Sequence, residues 1–280
     1  MPFSFKLPHL SLAPLLQLFM AQPPRPNLPH IFPDHDYSVS PKLWLLGLKS
    51  MDGEAEKCYT SKITYFKRQK GSRHEFLVVD IVHPSSGQVA HAVTDRAPKK
   101  FDNDGSKDKR TKQAIAPSIS GSVAANDTVQ FSGGRDISKR ASSDKLAEVT
   151  FEPGKLPVIH FAILLTAIGK HAPDYSIWKH QCYWYADTVY ESTKALFEVR
   201  GEHTEDILSK VRGEYALGLP LMENSIPAIR KEYLVALEQY QEEEVNKEEA
   251  RRAKENDVSF LNSKFFSYAY ILAADRATWT

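Results

Sequence analysis

His74-Glu75-Phe76-Leu77-Val78-Val79-Asp80-Ile81-Val82-His83-Pro84-Ser85-Ser86-Gly87-Gln88-Val89-Ala90-His91-Ala92-Val93-Thr94-Asp95-Arg96 reads as a β-hairpin. Two runs rich in β-branched residues flank a turn in which Pro84 suits the first central position and Gly87 a left-handed closing residue. The most economical loop is Pro84-Ser85-Ser86-Gly87, with His83 opposite Gln88. Partner numbers then sum to 171, so Asp80 faces His91 and Phe76 faces Asp95. His74, Phe76, Val78, Asp80, His91 and Asp95 share one face. Asp95 lies diagonally beside His74, within side-chain reach. A slip of one residue would put Asp95 and His74 on opposite faces. The register therefore yields two acid–imidazole pairs, His74 with Asp95 and His91 with Asp80. They are about four rungs apart at ~3.3 Å each, too far for one site.

Outward from the hairpin, Lys57 to Lys67 predicts a further strand, and Leu146–Phe151 a short one. Val158 to Ile168 predicts a strongly apolar helix. Ile226 to about Lys254 predicts a long helix whose face carries Ile229, Tyr233, Ala236, Leu237 and Tyr240, with a charged, solvated part from Glu242. Residues 99–112 carry six Lys or Arg with almost no apolar side chains, and Ser, Gly and Asn follow up to Ser143. A flexible insertion over 98–145 is expected. Pro23, Pro24, Pro26, Pro29 and Pro33 predict a disordered leader over 1–40. The remainder, 41–280, is expected to be one α+β domain, a small antiparallel sheet packed against helices, with a helical extension from about 225.

Cys182 opens a second amphipathic helix, with Ala186, Val189, Thr193, Leu196 and Phe197 at helical spacing behind it. Upstream, Pro173 and Lys179-His180-Gln181 place the helix start close to the thiol. Backbone N–H groups at a helix N-terminus favour thiolate over thiol and can donate to a developing oxyanion. Taken alone, a free cysteine there is more commonly a small apolar core residue.

Composition narrows the function classes. The 280 residues carry 36 Lys and Arg against 35 Asp and Glu, which leaves no field to draw nucleic acid or anionic membrane. Two cysteines, Cys58 and Cys182, make no disulfide framework, so a reducing, cytoplasmic setting is expected. Lys6 followed by Leu10–Ala21 is the competing signal-peptide reading, interrupted by Pro8 and Pro14. No stretch reaches the ~18 apolar residues of a membrane span. His160, His171, His180 and Cys182 match no usual zinc spacing, so neither a metal nor another cofactor is expected. Tyr183, Trp184 and Tyr185 suit either a ligand-stacking cluster or the core.

A histidine opening an apolar strand, a polar residue on the next strand and a later cysteine opening a helix resemble circularly permuted papain-like proteins. That group includes the lecithin:retinol acyltransferase-like enzymes and the DeSI/PPPDE peptidases. Tyr175, Ile177, Cys182 and Tyr185 are similar to the family's Tyr-x-Leu-x-x-x-Asn-Cys-x-x-Phe motif, with one extra residue before the cysteine, Gln181 for Asn and Tyr185 for Phe. The similarity covers roughly residues 57–200. As a whole, the chain resembles uncharacterised proteins of mushroom-forming fungi, a likeness that implies no activity. The family resemblance implies a thiol hydrolase or acyltransferase acting on a peptide, isopeptide or acyl-ester carbonyl. Cys182 would be the nucleophile, His74 its base, Asp95 the orienting acid and Gln181 an oxyanion donor. His91 with Asp80 is the alternative pair. The partner would be a protein or acyl substrate. The competing expectation is a non-catalytic interaction module that keeps the fold and uses the long charged helix for contact.

Overall fold

The structure is a computed structural model and describes residues 27–51, 53–69, 74–99, 123–132, 143–175, 181–204 and 225–277. Its centre is the hairpin of β3 (Glu75–Val82) and β4 (Val89–Pro98), paired from Leu77↔Thr94 to Val82↔Val89 with Asp80 opposite His91. The His83 N–H donates to the Gln88 carbonyl and the Gly87 N–H to the His83 carbonyl, with Gly87 at φ 66°. The turn chemistry thus sets the register that the sequence predicts.

The hairpin sits inside an antiparallel sheet of eight strands, together with β1 (Tyr37–Val39), β2 (Tyr59–Arg68), β5 (Val123–Phe131), β6 (Ser143–Phe151), β7 (Asp174–Tyr175) and β8 (Val199–Thr204). The order is β1-β5-β4-β3-β2-β6-β8, with β7 also on β5. On one face lie α1 (Pro41–Lys49), α2 (Glu54–Lys57), α3 (Val158–His171), α4 (Cys182–Leu196) and α5 (Ile226–Ala277). The expected α+β class, an antiparallel sheet with helices on it and a long C-terminal helix, is what the chain adopts. Ser40 caps α1 through Leu43 N–H, and Pro41 occupies its first turn, where its missing N–H is harmless. Leu77, Val79 and Ile81 point from β3 into the core, where they meet the buried side chains of α3 and Trp184, Tyr185 and Tyr190 of α4. The alternate residues Phe76 and Val78 join Val93 and Phe66 in a small second cluster. In α5, Ile229, Tyr233 and Tyr240 are buried, Ala236 and Leu237 partly so. After the Lys49–Glu243 ion pair the described side chains are mainly exposed, as the charge pattern predicts.

Two boundaries are corrected. The leader does not extend to residue 40: Leu28, Ile31 and Phe32 are core residues, and Tyr37–Val39 pairs with β5. Prolines at 29 and 33 exclude regular structure there without preventing their neighbours from being buried. The 98–145 insertion contains β5, an internal strand between β4 and β1 whose Val129 and Phe131 enter the core. Residues 1–26, 100–122 and 133–142, on which the rest of those two expectations fall, lie outside the described residues. Among the described residues, no helix is long and apolar enough to cross a membrane.

Candidate functional site

Three separate parts of the chain meet at one end of the hairpin. His74 sits one residue before β3, and its Nε2 lies 3.2 Å from Oδ2 of Asp95 on β4. The His74 ring is stacked on Phe76 at an interplanar angle of 16°. Cys182, the first residue of α4, is close enough to the same ring to raise its pKa. Cys182 is only 5% exposed.

Burial works against charge on His74, but hydrogen bonds to Asp95 and Cys182 and their charges outweigh it. The imidazole pKa is raised to about 9. Burial likewise disfavours the Asp95 carboxylate, yet hydrogen bonds from His74 and Thr128, with the charges of His74 and Arg68, hold its pKa below the usual value. The pair is therefore ionised at neutral pH.

Gln181 is the N-cap residue of α4, in an extended conformation, and its side chain makes no capping hydrogen bond. It is 2% exposed, and its amide nitrogen has no hydrogen-bond partner among the described residues. A buried unpaired donor is costly, by about 1–3 kcal/mol.

The other pair is built but separate. His91 Nδ1 lies 2.7 Å from Oδ1 of Asp80, whose other oxygen takes Lys62 Nζ at 2.9 Å. Four residues of β4 separate His91 from Asp95, about 13 Å. His171 bonds Glu232 instead of grouping with His160 and Cys182. Among the described residues no cluster of three or more His, Cys, Asp or Glu could hold a metal ion. Ile177 and His180, both weighed from sequence, lie outside the described residues. Tyr183, Trp184 and Tyr185 are all core side chains.

Several partners had no local signal. Thr128 stands opposite Asp95 across β4 and β5 and donates its hydroxyl to Oδ1 at 2.5 Å. Gln130 Nε2 in turn donates to the Thr128 hydroxyl at 3.0 Å. On the core face, Glu75 takes Lys67 Nζ at 2.8 Å and the Tyr65 hydroxyl, and Lys67 lies over the Tyr183 ring. Arg96, fully buried, grips Asp127 with two hydrogen bonds of 2.6 and 2.8 Å and lies over the rings of Trp184 and Tyr185. These knots fasten the first turn of α4 to β2, β3 and β4. Arg96 and Asp127 are 31 positions apart and Lys67 and Tyr183 are 116 apart (183 − 67), separations that no spacing rule detects. A cleft of about 620 Å³ between α1, α3 and α5, bordered by Lys49, Glu56, Tyr240 and Arg251, contains none of the site residues. Comparison of the chain with protein-family models, with curated proteins and with solved structures finds no match.

Proposed function

We propose that the chain is a thiol hydrolase or acyltransferase acting on a peptide, isopeptide or acyl-ester carbonyl. The observation that carries the reading is the convergence of Cys182, His74 and Asp95, residues separated by up to 108 positions (182 − 74): Asp95 is hydrogen-bonded to His74, and Cys182 lies close enough to the same ring to raise its pKa. The Cys182 thiolate attacks the carbonyl carbon, and the imidazolium of His74 stabilises the sulfur's charge beforehand. The carbonyl oxygen becomes an oxyanion, received by the Cys182 backbone N–H and the unpaired Gln181 amide. The tetrahedral species collapses, the leaving group departs with the proton from His74, and a thioester remains on Cys182. Neutral His74 then takes a proton from water or from an acceptor nucleophile, whose attack releases the acyl group and restores the thiolate. Asp95 keeps the proton on Nε2 and stabilises the charged ring.

The near-complete burial of Cys182 favours a second reading, a non-catalytic interaction module in which the thiol is a core residue. Iodoacetamide labelling across pH separates the two. The enzyme requires Cys182 in the folded protein to react with a midpoint well below the ~8.5 of a free thiol, moving upward in His74→Ala. Labelling of Cys182 only after unfolding would replace the enzyme with the module.

A further inference from the structure

We propose that Thr128 is a positioning residue of this site: its hydroxyl, itself held by Gln130, fixes the Asp95 carboxylate so that Oδ2 faces His74 Nε2. The inference rests on the pairing of His74 with Asp95 and adds residues from a strand that the sequence presents as linker. Thr128 and Asp95 are direct partners across the β4–β5 ladder, so their side chains emerge on the same face at the shortest cross-strand spacing. The contact is short, 2.5 Å, as expected for a hydroxyl donating to a carboxylate.

The direction of the chain is determined by its ends. Gln130 Nε2 is an amide donor, so the Thr128 oxygen accepts from it at 3.0 Å and spends its own hydrogen on Asp95. The ionised carboxylate only accepts, and it receives one donor at each oxygen, Thr128 at Oδ1 and His74 at Oδ2. A carboxylate held at one oxygen alone can rotate about its χ2 bond, a broad and soft torsion. Held at both, it keeps its plane, and the Nε2 proton keeps its acceptor. Gln130 and Thr128 lie on alternate residues of one strand, so the same backbone sets both donors. The hydrogen bond from Thr128 also helps to keep Asp95 charged in a largely dry setting.

The test is NMR titration of the Asp95 carboxyl carbon and the His74 imidazole in the full-length protein, in native, Thr128→Val and Thr128→Ser forms. Valine keeps the shape and removes the hydroxyl; serine restores it. In Thr128→Val the Asp95 midpoint should rise by about one pH unit, the equivalent of a lost hydrogen bond to a charged group. The His74 midpoint should fall toward its ordinary value because the loosened pair supports each partner less. Thr128→Ser should return both midpoints. Should the valine protein fail to fold, Gln130→Leu is read in its place and should move both midpoints in the same directions by less. An unmoved Asp95 midpoint, a His74 midpoint that holds or rises, or a serine protein that behaves like the valine one would each overturn the inference. None of these readouts uses Cys182 labelling, so loss of the catalytic reading would be seen separately, in the response to His74→Ala.

Discussion

Raising the pH of the folded protein from 6 to 10 should withdraw one specific contribution to stability, that of charged His74. The imidazole pKa is raised in the folded state to about 9, against 6.5 for an ordinary histidine, because Asp95 and Cys182 support the charge more than burial opposes it. For a group whose folded pKa is raised, the contribution is complete below about 6.5 and is lost as pH climbs through about 9. At about 1.4 kcal/mol for each pH unit, the rise corresponds to a ceiling of about 3 kcal/mol, shared with Asp95 rather than added to it. Urea unfolding at pH 6, 8 and 10, in native protein and in His74→Gln, isolates the contribution as the difference between the two pH dependences. The native protein should lose up to about 3 kcal/mol more than the variant between pH 6 and pH 10. Direct titration of the ring should place its midpoint well above 6.5. A ring that titrates at or below 6.5, or parallel stability curves for the two proteins, would refute both the strength of the pair and the claim that the site rests in its charged form.

Arg96→Met strands Asp127 without its buried partner and should destabilise the fold by about 3–5 kcal/mol, measured by chemical denaturation. Phe131→Ala, in β5, should cost about 3–5 kcal/mol, whereas Glu243→Ala, which removes an exposed ion pair, should change stability by no more than about 1 kcal/mol; equal effects would contradict the assigned places of β5 and the outer part of α5. Gly87→Ala should cost roughly 1–2 kcal/mol because an L side chain is strained at φ 66°, and a neutral result in the same assay would show that the hairpin turn adopts another form.

The hairpin was legible because its determinants are local. Pro84 and Gly87 lie within the loop itself, and a fixed register automatically places Asp80 opposite His91 and Asp95 near His74. The helix start at Cys182 was legible for the same reason, through the polar run before it and the stripe behind it. β5 was not, since Val123-Ala-Ala-Asn-Asp-Thr-Val-Gln-Phe131 carries little apolar alternation and only Val129 and Phe131 reach the core. Its strand character is imposed by β4 on one side and β1 on the other, so tertiary pairing overrides a weak intrinsic preference. Thr128 disappeared with it. Leu28, Ile31 and Phe32 were masked by the prolines around them, although three apolar residues can enter a core without belonging to any regular element.

The order of strands also implies an order of assembly. His74 and Asp95 are brought together by a local event, the closing of one tight turn, which hairpins complete within about 1–10 μs. The thiol must arrive across a separation of 108 residues (182 − 74), and β5 must cross from residue 98 to residue 123 before it can clamp Asp95. Contacts of that range pay their loop-closure entropy before they return any energy and form late. The register that places Asp95 beside His74 therefore depends on local contacts, whereas the thiol joins the pair only through long-range ones. Cys182 gains its partner only when the sheet is nearly complete, so any reactivity the imidazole lends it is withheld from the unfolded protein.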